Sequence, residues 1–202
     1  TSQVLYDKSV KEHSNAHLVR NACDFEHFHN SKLELVYESK LERPVFGFIG
    51  ALGTWIDKEF LQYIADNYTL LTIGPPFGIN PPKSAINFGI KPYQELPKFY
   101  KNIDIGLIPF NPNSRVAQAA NPIKMYEYLA SSKPVLAIET VETSLFPGHV
   151  YTCKNTGEVK NLVDRILTTE SEQKKMERAI LARENTWEKR FKVIEKEITI
   201  LL

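Results

Sequence analysis

Long apolar runs are missing from this chain. No stretch reaches the ~18–20 residues a helix needs to cross a bilayer, and no signal peptide heads the sequence. The first residue is Thr1 rather than Met, so the natural start is expected upstream, and the missing leader says little about the full protein. Cysteine is scarce. Cys23 and Cys153 stand far apart and outside any metal-ligand spacing, which argues against a disulfide framework and fits a reducing compartment. Cys153 reads as a small hydrophobe. Charge of one sign is also lacking: 25 Lys+Arg against 24 Asp+Glu leave +1, without the basic excess of a nucleic-acid binder. Internal repeats and low-complexity tracts are absent. Neither a G-x-S-x-G elbow nor a G-x-x-x-x-G-K-[ST] loop occurs, so hydrolase and P-loop readings lack support. Four of the five histidines (His13, His17, His27, His29) lie near the start and His149 lies far from them. No Cys or acidic cluster completes a metal site, and no metal is expected.

What is present is ordinary globular material: 202 residues, 43% hydrophobic and 24% charged, enough for a substantial core. The first thirty residues read as the tail of another unit, with a short helix over 4–12, a strand over 17–20 and a turn over 21–24. Residues 31–43 are charged and aperiodic, a linker. From Pro44 the pattern becomes regular. Strands are predicted at 44–50, 68–74, 84–90, 104–110, 134–138 and, more weakly, 149–153. Helices are predicted at 57–67, 93–102 and 122–131, with closing helices at 155–168, 170–184 and 187–200. Pro97 is tolerated only near the first turn of its helix. The strands are continuous apolar runs, which suits a parallel sheet covered on both faces, and the alternation with helices predicts an α/β, Rossmann-like doubly wound domain. Ligands in such sheets bind at the carboxyl ends of the strands, here the loops 50–55, 74–79, 89–93, 110–121 and 138–143.

The stretch NPIKMYEYLASSKPVLAI, 121–138, carries the sharpest signal. Asn121 is placed to cap a helix and Pro122 to occupy its first position. The free N–H groups of Ile123 and Lys124, with the helix dipole, favour an anion, and Lys124 adds a positive charge. Lys124 and Glu127 share one helix face. They are either an exposed ion pair worth under ~1 kcal/mol or the two holders of one ligand, a phosphate on the lysine and hydroxyls on the carboxylate. The loop GALGTWID offers Gly50 and Gly53, either as a close backbone approach to a phosphate or as a tight turn into a helix capped by Asp57. Trp55 walls the site or packs. Arg115, in the small polar loop 111–120, reaches a phosphate or sugar, or is solvated.

These segments resemble GT-B glycosyltransferases of the group 1, family 4-like type. VRNACDFEHF resembles the "PNGVD...F" stretch that links the two domains of that family, with Ala22 where Gly is usual. VFGFIGALGTWIDKEFL, YTLLTIGPP, INFGIKPYQELPKFYKNIDIGLIPF and NPIKMYEYLASSKPVLAI follow in the order of its nucleotide-sugar-binding domain, and ENTWEKRFKVIEKEI resembles its final helix. The resemblance covers nearly all of 19–200. It implies a tail of the acceptor domain plus linker over 1–42 and a donor domain over 43–202. It implies that Glu127 binds ribose hydroxyls. Lys124 and the N–H groups after Pro122 fall at the diphosphate, the Gly50–Gly53 loop faces it, and Ile90 and Lys91 lie along the nucleobase through backbone groups. The implied ligand is a nucleotide diphosphate sugar. The acceptor, a glycan or lipid-linked molecule, would meet a domain absent here, with no nucleic-acid partner, no metal or cofactor, and a cytoplasmic place extending to the inner membrane face.

Two departures stand out. The retaining branch often has two glutamates seven residues apart, and the first position here is Ala119, where the family residue usually touches the donor sugar. The basic pair often found near the first loop is also missing, since GALGTWID has no Lys or Arg before Lys58; Lys124 and Arg115 are the candidates to stabilise the leaving diphosphate. Two further readings stay open: a non-catalytic nucleotide-binding or interaction module, and a nucleotide-sugar 2-epimerase-like enzyme, which would convert a UDP-sugar without an acceptor.

Overall fold

The computed structural model describes residues 1–31 and 41–201. The linker expected over 31–43 falls largely on 32–40, outside the described residues. Two helices open the chain, α1 (Gln3–Glu12) and α2 (Phe25–His29). The apolar runs then become strands: β1 (Val45–Ile49), β2 (Leu52–Gly53), β3 (Thr69–Ile73), β4 (Pro76–Phe77), β5 (Ile86–Asn87), β6 (Ile105–Ile108), β7 (Val135–Ile138) and β8 (Val150–Cys153). Six of them form one parallel sheet in the order β5-β3-β1-β6-β7-β8, and β2 and β4 make a separate two-stranded parallel ribbon. Every residue of β1, β6 and β7 is buried. That is why these strands show no in-out alternation: helices cover both faces of the sheet.

The covering helices are α3 (Lys58–Asn67), α4 (Leu96–Tyr100), α5 (Arg115–Ala119), α6 (Ile123–Ala130), α7 (Val159–Thr169), α8 (Glu172–Arg183) and α9 (Trp187–Leu201). Helix α3 shows the local logic. Asp57 Oδ1 accepts from Phe60 N at 2.9 Å, so the predicted cap is present. Phe60, Leu61, Ile64 and Ala65 then bury one stripe, each large side chain contributing about 1.5–3 kcal/mol. Pro97 sits in the first turn of α4, preceded by a 3-10 turn over Tyr93–Glu95.

The chain builds outward from β1 through β3 to β5, then returns to the other side of β1 and builds β6, β7 and β8. The direction reverses between β1 and β6, and in such folds the ligand crevice lies outside the carboxyl ends of the strands at that point. Helix α6 lies against both strands. Tyr128 Oη donates to Gly47 O at 2.7 Å and accepts from Ile49 N at 3.2 Å. This close approach needs Gly106, because a Cβ there would lie 2.3 Å from the Tyr128 ring.

Several expectations are corrected. Residues 17–20 form no strand, because their partners are side chains: Arg20 Nε reaches Glu142 Oε2 at 3.0 Å, and neighbouring Asn21 takes Asn121. Residues 21–24 form no turn: Cys23 makes a parallel bridge to Thr186, and Asp24 caps α2 through His27 N, a helix that buries Phe25 and Phe28. The strand read over 84–90 contracts to Ile86–Asn87 at the sheet edge. The loop 111–120 contains α5, capped by Ser114. Apart from these corrections, Cys23, Phe25 and Phe28 of the opening segment belong to the same core as the sheet, and Cys23 N bonds Asn185 O at 3.2 Å.

Candidate functional site

The start of α6 differs from the sequence expectation. Pro122 is the N-cap residue and makes no side-chain cap. Asn121, one residue earlier, is buried and turned away. Its Oδ1 accepts from Asn21 N at 2.8 Å, and its Nδ2 donates to Glu142 Oε2 at 2.7 Å. Asn121 is therefore a bracket between the opening segment and the domain, and capping is lost because its donors and acceptor are already engaged. The N–H groups remain open all the same. The first internal bond runs from Met125 N to Pro122 O at 3.1 Å, so those of Ile123 and Lys124 point out of the helix end. A ligand anion would meet two donors and the positive end of the dipole.

Lys124 lies at the crevice itself. Its Nζ stands 4.1 Å from the centroid of Phe48, in β1, and 6.0 Å from that of Phe110, just after β6. These rings hold the ammonium in place. Burial lowers its pKa from 10.5 to about 8, with the Glu127 carboxylate opposing the fall. Gly50 is adjacent: a Cβ there would come 2.7 Å from Lys124 Nζ, and its φ of +141° suits only glycine. Among the described residues Lys124 Nζ makes no hydrogen bond or ion pair, and the Glu127 carboxylate acts on it only through space.

Glu127 is that lysine's neighbour on the helix and is 8% exposed. Tyr100 Oη, from α4, donates to Glu127 Oε2 at 2.7 Å. Burial raises the carboxyl pKa, while the Tyr100 bond, Lys124 and His27 pull it back. The two side chains act on each other through space and form no direct hydrogen bond or ion pair among the described residues. An exposed surface ion pair does not describe this geometry.

The other candidates fall as follows. Gly53 is in β2 beneath the Trp55 indole, and Trp55 packs against it and tilts on Phe77 at 5.9 Å. Ile90 is 70% exposed and Lys91 half-buried, on the loop after β5. Arg115 opens α5 on its exposed side and makes no hydrogen bond or ion pair among the described residues. The structure thus joins Gly50, Lys124 and Glu127 with the helix start, and no contact brings Arg115 to them. Sequence reasoning missed Tyr100, Tyr93 and His27. His27 stacks on Tyr93 with centroids 4.6 Å apart, and both lie within electrostatic reach of Glu127. Nothing in the helix pattern around Tyr100 marks its hydroxyl as Glu127's partner.

Hollows of about 460 and 590 Å³ open elsewhere, the first beside Pro44, Ile105 and Pro134 at the strand starts, the second along α3 and residues 79–84. Among the charges lining the first, Arg43 is paired with Asp104 and Lys175 with Glu172. Among the described residues no group of three or more His, Cys, Asp or Glu is placed to hold a metal ion, and no helix is long and apolar enough to cross a membrane.

No family model matches the chain. It is 27% identical over 146 residues to TuaH of Bacillus subtilis (strain 168), which carries the name of a teichuronic acid biosynthesis glycosyltransferase; the match takes 63% of this chain and 35% of TuaH. Solved structures share the fold at low identity. HepE of Anabaena, in complex with UDP, gives a TM-score of 0.59 at 14% identity, covering 98% of this chain and 53% of HepE. A glycosyltransferase of Rickettsia africae ESF-5 gives 0.65 at 13%, covering 96% and 61%. Sucrose-phosphate synthase of Thermosynechococcus elongatus gives 0.64 at 12%, covering 98% and 56%. The chain thus spans roughly a third to three-fifths of the proteins it resembles.

Proposed function

We propose that this chain, which has the Rossmann-type fold found in GT-B glycosyltransferases, binds a nucleoside diphosphate sugar and that the whole protein transfers the sugar to a glycan or lipid-linked acceptor. The observation that carries this is the placement of Lys124 against Gly50 at the β1–β6 crevice, beside Glu127 held by Tyr100. Ionic and hydroxyl chemistry are separated there by one helical turn, as a diphosphate and a ribose would require. The UDP complex of HepE and the name of TuaH support a sugar nucleotide and a surface-polysaccharide setting.

In the reaction, negative charge grows on the departing diphosphate. Lys124 and the N–H groups of Ile123 and Lys124 face it and stabilise it without moving, which is electrostatic catalysis. Glu127 orients the nucleotide through the ribose. The residues at hand meet the charge with cations and dipoles, so donor binding is expected to be unaffected by a chelator. Arg115 enters as a second cation only if the phosphate end of the ligand reaches α5; an unchanged nucleotide affinity in Arg115→Ala excludes it.

A thermal-shift panel of UDP, GDP, ADP, CMP and dTDP tests the site. At about 100 times the dissociation constant, linkage stabilises the folded form by ~2.7 kcal/mol, a rise of several degrees. One base should raise Tm in the wild type and fail to do so in Glu127→Ala. A rise retained in the variant would remove Glu127 from the site. Ala119 favours a second reading, a module that binds nucleotide without turnover. A whole protein that showed neither transfer nor hydrolysis of any donor would establish it.

A further inference from the structure

We propose that His27 and Tyr93 form an aromatic shelf for the nucleobase, so that a binding residue comes from the segment ahead of the regular domain. The inference rests on the nucleotide reading above and adds a contact that the sheet loops do not provide. The His27 and Tyr93 rings are nearly parallel, 16° apart with centroids at 4.6 Å. His27 Nε2 lies 3.0 Å from Tyr93 O, so that nitrogen carries the hydrogen and donates, and the imidazole plane is fixed.

The shelf is tied to the ribose carboxylate. Phe28 meets Tyr93 edge-on at 5.6 Å and Tyr100 at 5.0 Å, and Tyr100 donates to Glu127. The geometry thus runs from the ring pair, through one buried phenylalanine, to the residue that would hold the ribose. Position on the rim is as telling. Phe28 and Tyr100 are buried, as packing rings should be, whereas Tyr93 is 43% exposed and His27 half-buried. Core formation does not account for a stacked pair left open to solvent. Tyr93 follows Ile90 and Lys91 on the same loop, so the base would meet backbone groups along one edge and a π-face on the other. Every nucleobase has a π-face, and stacking on aromatic side chains adds affinity without demanding one base.

Titration calorimetry on the 202-residue chain, with UDP and with inorganic pyrophosphate as probes, tests this. His27→Ala and Tyr93→Ala should each weaken UDP about tenfold and leave pyrophosphate unchanged, because only the nucleoside half loses its support. His27→Phe, which keeps a flat ring, should retain most of the UDP affinity. Unfolding curves of each variant identify any loss that comes from a displaced α2. Unchanged UDP affinity in His27→Ala overturns the shelf. So does an equal loss of pyrophosphate, which would mean that the ring acts through the fold or its charge. A wild-type chain that binds pyrophosphate as tightly as UDP overturns the shelf and leaves the anion site standing. A wild-type chain that binds neither defeats the nucleotide reading, and the shelf falls with it.

Discussion

Lys124 and Tyr100 make opposite demands on stability and binding. The lysine's pKa is lowered from 10.5 to about 8, so the folded chain pays for a half-buried ammonium at neutral pH. The sign of the linkage follows. Between about pH 8 and 10.5 the unfolded lysine holds its proton and the folded one has released it, so this group's contribution to stability rises with pH across that window and is least favourable below it. Lys124→Met should therefore raise Tm by a few degrees at pH 7 and abolish nucleotide binding, measured by thermal unfolding with and without UDP. Wild-type UDP affinity should fall as pH rises through about 8, read from calorimetric titrations across a pH series. Tyr100→Phe acts on the other partner. The phenol's bond lowers the Glu127 carboxyl, so its removal moves that pKa further up. A hydrogen bond to a charged group contributes about 1.5–3 kcal/mol, so UDP affinity should drop at least tenfold. The loss of affinity toward acid should begin at a higher pH than in the wild type, read from calorimetric titrations across a pH series.

At the scale of elements, the opening segment is bound to the domain by a buried polar knot. Glu142 is fully buried in the loop after β7 and accepts from Gln3 N at 2.7 Å, Arg20 Nε at 3.0 Å and Asn121 Nδ2 at 2.7 Å. Three donors converge on one carboxylate, so its loss leaves Gln3 N and Arg20 Nε without that acceptor and Asn121 Nδ2 with Tyr126 Oη alone. Glu142→Ala should cost about 3–5 kcal/mol in urea unfolding. Limited proteolysis should then cut within residues 1–20 sooner than in wild type; equal cleavage rates would mean the segment is held by α2 and Cys23 instead. None of this knot is visible from spacing, since its members are separated by up to 139 residues. By contrast α3 was legible to within a residue. Its apolar stripe and its Asp57 cap are both local, and local signals survive into the fold. The missed helices α2 and α5 have five residues each, too short to show a period.

For the whole molecule, the proposed division of labour gives the donor to this chain and the acceptor to a separate part of the protein. The isolated chain should bind UDP yet transfer little sugar, assayed with UDP-sugars and product analysis by mass spectrometry. Efficient transfer by these 202 residues alone would overturn the division into donor and acceptor parts. Addition of EDTA should leave UDP affinity unchanged; a loss restored by a divalent cation would add a metal to the site.

Hydrophobic patterning along the chain is enough to set the layers of this protein. Continuous apolar runs between amphipathic helices can be buried only as a parallel sheet covered on both faces, and that follows from hydrophobicity and period alone. The sequence also marked Lys124 and Glu127 as facing one way, because one turn of helix places them so. Only the tertiary structure decided what they are. Whether Lys124 is a solvated charge or a half-buried ammonium over Phe48 depends on how α6 packs against β1, through Tyr128 and Gly106. Whether Asn121 caps a helix or grips Asn21 depends on contacts a hundred residues apart. Charge and hydrogen-bonding capacity are written in the side chain; desolvation and partnership are properties of the neighbours that folding brings to it.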